Sequence, residues 1–217
     1  MVRSLVSACL VVACVAIASI FDPAFSQNLY GVISVGTNAG SLVRIDLSTG
    51  RATLIGQTGM DFPGGLACDS STGTLLGLDV PEGGQVWSID PVTGAGTRLS
   101  SSPAVSAPQC LAYRAADNSL YTVSTFFEVE LHRLSPTTGA DVGVVGPVAK
   151  DAVGGLTVRP ADGVLFGTGF VGVTDFLFTI STTPGATALD SNIGPLGRGI
   201  SSLDFHPTSG ILYASDG

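Results

Sequence analysis

The sequence predicts an all-β fold assembled from a four-stranded antiparallel unit that repeats about every 45 residues. Three observations predict it. Two series of hairpin turns recur in step, short segments of alternating small and large apolar residues lie between them, and the chain is rich in glycine (29 residues) and poor in charge (12%). Many short strands joined by glycine turns have this composition.

The first turn series reads Asp46-Leu-Ser-Thr-Gly50, Asp90-Pro-Val-Thr-Gly94, Ser135-Pro-Thr-Thr-Gly139 and Ser181-Thr-Thr-Pro-Gly185, its glycines 44, 45 and 46 residues apart. The second reads Asp69-Ser-Ser-Thr-Gly73, Arg114-Ala-Ala-Asp-Asn118, Arg159-Pro-Ala-Asp-Gly163 and His206-Pro-Thr-Ser-Gly210, its last positions 45, 45 and 47 apart. Asp or Ser at the first position can accept a backbone N–H two residues on. Proline at the second position suits the φ of a type I turn. Glycine, or asparagine at Asn118, tolerates the left-handed conformation that closes a bulged hairpin.

The intervening segments read as strands. First strands are expected at 65–68, 110–113, 155–158 and 202–205, where small residues alternate with larger apolar ones in a period of two. Second strands are expected at 29–33, 74–78, 119–123, 164–168 and 211–215, third strands at 42–45, 85–89, 130–134 and 176–180, and fourth strands at 53–55, 97–99, 142–145 and 186–189. Four antiparallel strands per repeat make a propeller blade, and blades must stack to bury both sheet faces. A β-sandwich is the alternative, but it needs no two turn types recurring in step. The expected fold is an all-β propeller of four-stranded antiparallel blades with about four blades present. The repeat opens and stops on a second strand, so an incomplete propeller is expected; a complete four-bladed ring or an arc completed by a second chain stays open.

Residues 1–26 read as a signal peptide. Arg3 supplies the positive start, Leu5 to Phe21 is almost wholly apolar, and Ala24-Phe25-Ser26 places small residues at the two positions that a signal peptidase reads. An uncleaved anchor or lipidation at Cys14 are the alternatives. Residues 27–217 form the repeat domain. Cleavage removes one base and one acid, Arg3 and Asp22, so the net charge stays at −8. An acidic surface repels phosphate backbones, which argues against nucleic acid as a partner, and no membrane span follows the signal. Cys68 and Cys110 remain. Repeat registration sets them three positions apart along neighbouring first strands, about 10 Å of rise, which favours two buried free thiols over a disulfide.

The blade text resembles a large group of secreted bacterial propeller proteins. Their repeats read roughly Gly-Gly-Leu-Ala-Phe-Asp, then Thr-Gly-x-Leu-Tyr-Gly, then Leu-x-x-Ile-Asp-Pro-x-Thr-Gly. Here Gly64-Gly-Leu-Ala-Cys-Asp69, Gly73-Thr-Leu-Leu-Gly77, Trp87-Ser-Ile-Asp-Pro-Val-Thr-Gly94, Leu203-Asp-Phe-His-Pro207 and Gly210-Ile-Leu-Tyr213 carry the likeness. It covers nearly the whole domain. It implies the blade architecture and names no ligand, because the matching positions are core and turn positions.

No catalytic, metal or cofactor signature is legible. His132 lies in a strand, His206 holds the first position of a turn, and no third histidine or carboxylate cluster stands near His206 in sequence. No Gly-x-Ser-x-Gly elbow exists. Glu128 and Glu130 lie two apart on one strand face and read as a solvated edge. The candidates for binding are the connections from second to third and from fourth to first strands: Asp61, Phe62, Phe126, Phe127, Glu128 and Arg198, with Lys150 and Asp175 nearby in the same class of loop. Phe126-Phe127 stands out as a paired aromatic, with packing between blades as the alternative. The expected protein is a secreted, periplasmic or surface binding module, non-catalytic, for a protein, glycan or small-molecule ligand. The alternatives are part of a propeller lyase or lactonase, and a structural array at the envelope.

Overall fold

The computed structural model describes residues 12–16, 28–81, 83–99, 105–125, 128–185, 189–197 and 199–215. Four four-stranded antiparallel sheets and one two-stranded sheet follow one another. The first holds β1 (Val12–Ala16), β2 (Asn28–Ile33), β3 (Ser41–Asp46) and β4 (Ala52–Gln57); the second β5 (Pro63–Asp69), β6 (Thr74–Asp79), β7 (Gln85–Ile89) and β8 (Gly96–Arg98). The third holds β9 (Ala112–Arg114), β10 (Ser119–Val123), β11 (Glu130–Leu134) and β12 (Asp141–Pro147), the fourth β13 (Ala152–Val158), β14 (Leu165–Val171), β15 (Thr174–Ile180) and β16 (Leu189–Pro195). β17 (Ser202–Phe205) and β18 (Leu212–Ser215) form the last pair. The first strands neighbour one another in the order β1, β5, β9, β13, β17 and back to β1, so the sheets radiate from a common axis.

Each expected second and third strand is present, and the register repeats from sheet to sheet: Leu66 faces Gly77, Leu156 faces Gly167 and Leu203 faces Ala214. Val12–Ala16, inside the expected signal, pairs antiparallel with β2 as the innermost strand of the first sheet. The two roles make opposite demands on these residues: a chain that starts at Gln27 leaves the inner edge of β2 open.

The turns behave as their chemistry requires. In six of them the final glycine N–H donates to the first residue's carbonyl: Gly50 to Asp46, Gly73 to Asp69, Gly94 to Asp90, Gly139 to Ser135, Gly163 to Arg159 and Gly210 to His206. The fourth residue's N–H donates to the first side chain at Thr49, Thr93, Thr138 and Ser209. Asn118 closes a single 3-10 turn (Ala115–Asp117) in the left-handed conformation, φ 48°. The Ser181–Gly185 turn departs from this scheme. Pro184 at its fourth position has no N–H to give, Gly185 donates to Val145 of the neighbouring sheet, and β16 starts at Leu189, where the expected strand ended. Residues 186–188 lie outside the described ones.

The core lies between sheets. Tyr30, Val32 and Leu42 of the first pack with Met60, Leu66, Leu75 and Ile89 of the second sheet and its approach. Leu76, Leu78 and Val86 meet Leu111, Tyr113 and Leu120, and Tyr121, Val123 and Leu131 meet Val153, Leu156 and Phe178. This places the apolar gain of each sheet in its neighbours' hands. At the axis, the strands touch through backbone. A Cβ on Gly65 would stand 2.8 Å from the Leu111 nitrogen, and one on Gly154 2.6 Å from the Ile200 oxygen.

Gly65→Ala is therefore expected to lower stability in urea unfolding by about 1–3 kcal/mol. Gly199→Ala, where a Cβ meets nothing within 4 Å, should stay within about 0.5 kcal/mol of the wild type.

Candidate binding site at the turn end of the axis

An antiparallel meander puts both turn series at one end of the sheets and the longer connections at the other. The glycine contacts between neighbouring first strands lie toward the connection end. Toward the turns the first strands carry side chains in place of glycine, and a cavity of about 640 Å³ opens there. Its walls are the last residues of β5, β9, β13 and β17 and the turns that follow them. Ala67, Ala112, Leu156 and Val158 give it an apolar lining; Cys68, Tyr113, Thr157, Arg159, Asp162, Asp204 and Phe205 bring functional groups to it.

These groups are held in place. Thr157 Oγ1 and the Phe205 N–H both donate to Asp204 Oδ1 at 2.9 Å. Tyr113 donates to Asn118 Oδ1 at 3.0 Å. Arg159 Nε donates to Asp162 Oδ1 at 2.9 Å while its guanidinium lies 4.9 Å above the Phe166 ring, which meets Phe205 edge-on at 5.2 Å. The Arg159 hydrogen bonds hold the Asp162 carboxyl below its usual range. Arg114 ties the rim together: its Nε donates to Gly163 O at 3.0 Å and its Nη1 to Thr182 Oγ1 at 3.1 Å, linking the third sheet to the fourth. Burial pushes the Cys68 thiol up to about 12, with the Asp204 and Asp69 carboxylates adding to the shift. The thiol stays protonated at neutral pH and is no nucleophile. Neither Cys68 nor Cys110 forms a disulfide, in keeping with the spacing argument.

Of the candidates drawn from the sequence, Asp61, Phe62 and Glu128 lie at the opposite, connection end. Asp61 and Phe62 precede β5, and their N–H groups donate to the buried Asp79 carboxylate at 3.1 and 2.8 Å. Phe62 is 48% exposed. Glu128 is exposed between β10 and β11, its carbonyl accepting from Ser124 Oγ. Phe126, Phe127 and Arg198 lie outside the described residues. Asp175 accepts from the Ile200 N–H at 2.7 Å, and Lys150 is buried with its Nζ 4.9 Å from the Phe176 and Phe178 ring centres. Asp79 at the end of β6 and Asp175 at the start of β15 thus serve backbone amides of the connections that precede β5 and β17. His206 Nδ1 accepts from Thr208 and Ser209 within its turn, as expected of a polar turn residue, and His132 Nδ1 lies 3.1 Å from Asp141 Oδ2. Among the described residues no group of three metal-ligating side chains converges, and no helix is long and apolar enough to cross a membrane.

Solved structures share this arrangement. The chain is similar to a nidogen/laminin complex structure (TM-score 0.66, 14% identity, 95% of this chain and 72% of that one). The fold is a β-propeller. A PQQ-bound aldose sugar dehydrogenase from Streptomyces coelicolor aligns with TM-score 0.64 and 14% identity over 99% of this chain and 76% of that one. A Bacteroides thetaiotaomicron protein of unknown function aligns with TM-score 0.61 and 17% identity over 93% and 56%. At these identities the likeness extends to the propeller fold alone. No family model and no curated protein sequence matches the chain.

The registered repeat did hold a signal for the cavity. The third position of the first strand reads Ala67, Ala112, Thr157 and Asp204 in successive blades. A carboxylate in a column of small residues marks the axis wall. The protonated thiol gives a direct check: alkylation of Cys68 by iodoacetamide at pH 8 should run on the order of 10³-fold slower than that of a free cysteine and rise about tenfold per pH unit up to pH 10.

Proposed function

We propose that this protein is an exported propeller that binds a ligand in the turn-end cavity of its axis and performs no chemistry on it. The observation that carries the reading is the cavity itself. About 640 Å³ lined by apolar wall residues and a few fixed polar groups is the size and make-up of a small-ligand site. Its polar groups are engaged in orienting one another, and its thiol is held protonated by burial. An acyl-transfer or elimination site needs a base poised beside a nucleophile or substrate proton; His132 is paired with Asp141 in β11 and β12, away from these walls. The signal-like character of residues 1–26 supports delivery to the periplasm or beyond.

A library of small metabolites and oligosaccharides screened by thermal shift tests the reading. Ala116 is exposed on the cavity wall, so Ala116→Trp fills the mouth without crowding the core. Ligands that raise the melting temperature of the wild type should lose their effect in this variant. Ligands that act equally on both would place binding elsewhere. The N-terminus of the exported protein, read by intact mass, is expected at Gln27.

A further inference from the structure

The first strands share a text that their pairing makes visible. Leu66 faces Gly77, Leu156 faces Gly167 and Leu203 faces Ala214, and in the same register Val15 of β1 faces Gly31. The register also slips at one matching place: between Pro63 and Gly65, between Val153 and Gly155, and between Val12 and Val15. In the third sheet Pro108 bridges Ser124 at the position where Pro63 faces Asp79. Aligned through these pairs, Val12-Ala-Cys-Val-Ala16 stands against Pro63-Gly-Gly-Leu-Ala67, Pro108-Gln-Cys-Leu-Ala112, Val153-Gly-Gly-Leu-Thr157 and Ile200-Ser-Ser-Leu-Asp204. The small residues at the second and third positions have a steric cause. A Cβ on Gly154 would meet the Ile200 oxygen at 2.6 Å and one on Gly65 the Leu111 nitrogen at 2.8 Å, because the next first strand lies alongside.

β1 stands in the ring of first strands between β5 and β17 and pairs with β2 along Tyr30–Ile33. With cleavage after Ser26, the proposed reading on which this inference rests, that strand leaves with the leader. β2 then keeps β3 on one edge and nothing on the other, whereas β6, β10 and β14 are each paired on both edges. The vacated edge belongs to a strand whose Tyr30, Val32 and Ile33 are buried. Unpaired backbone groups are costly in such a place, and an open strand edge is a template for another chain.

We propose that in the exported protein this edge accepts an extended segment of a partner polypeptide, added antiparallel to β2 as the innermost strand of the first sheet. The segment has the text of the other first strands: an uncharged run with an apolar residue, two small residues, a leucine or valine and a further small residue. The chain's own Val12–Ala16 fits the edge in this way. A second copy is a poor donor, because its β5, β9, β13 and β17 are each paired within their own sheets and lending one would open a blade.

Protein exported with its leader is purified and its N-terminus read by intact mass. The probe is a peptide of residues 10–18 with Cys14→Ser, the residue that Ser202 supplies in β17, and a pair of lysines added for solubility. It should raise the melting temperature of the exported protein and slow hydrogen exchange at Tyr30–Ile33 about tenfold or more. The same peptide with Cys14→Trp puts bulk where neighbouring strands lie alongside and should bind at least about tenfold more weakly. A precursor in which Ala24→Leu and Ser26→Leu block cleavage keeps β1 and should ignore the peptide. An exported chain that starts at Gln27 and ignores the peptide overturns the acceptor edge and leaves cleavage standing. An exported chain that retains Val12–Ala16 overturns cleavage and the proposal together. Equal binding of the two peptides, or equal binding to the exported and blocked chains, puts the peptide elsewhere and overturns the proposal. An exported dimer that the peptide converts to monomers assigns the edge to a second copy and overturns the partner.

Discussion

The close approach of the first strands at the axis is the constraint on which the rest of this structure depends. Gly65 and Gly154 let one strand's backbone lie against the next, at separations where a single methyl group would collide. That contact fixes how near the sheets come to one another. It thereby sets which residues can interleave between them, and the three inter-sheet clusters are built to that spacing. The same contact stands toward the connection end of the strands. At the other end the glycines give way to Cys68, Tyr113, Val158 and Phe205, the strands carry bulk, and the space between them becomes the cavity. Fold and candidate site are two ends of one packing gradient.

Much of this was legible in the sequence because the signals were local. A turn residue needs only its own five-residue neighbourhood, so the eight turns, the strands between them and their order could be read from spacing alone. The exception is instructive. Ser181–Gly185 carries the spacing of its series but has Pro184 where the others donate an N–H, and the fourth strand after it starts late. The strand at Val12–Ala16 was not legible as one, because its apolar run fits an export signal equally well and its pairing with β2 is set by the distant edge it meets.

The candidate site was less legible, for a physical reason. The sequence search looked to variable loops, where Asp61, Phe62 and Glu128 stand. The cavity is lined instead by positions that each look structural within their own blade: the ends of strands and the interiors of turns. Only stacking the first strands β5, β9, β13 and β17 around an axis brings Asp204, Arg159 and Cys68 to one space. Asp204 was visible as an outlier in a column of alanine and threonine, yet its meaning depends on knowing that the column faces inward. The inter-blade bonds of Arg114 to Gly163 and Thr182 were invisible for the same reason, since the partners lie 49 and 68 residues away.

An experimental density map of the axis tests this account most directly. It should show the first strands in backbone contact beside Gly65 and Gly154, with no solvent between them, and ordered water confined to the turn end around Thr157 and Asp204. A continuous column of water running the length of the axis, with the glycines standing apart from their neighbours, would contradict it.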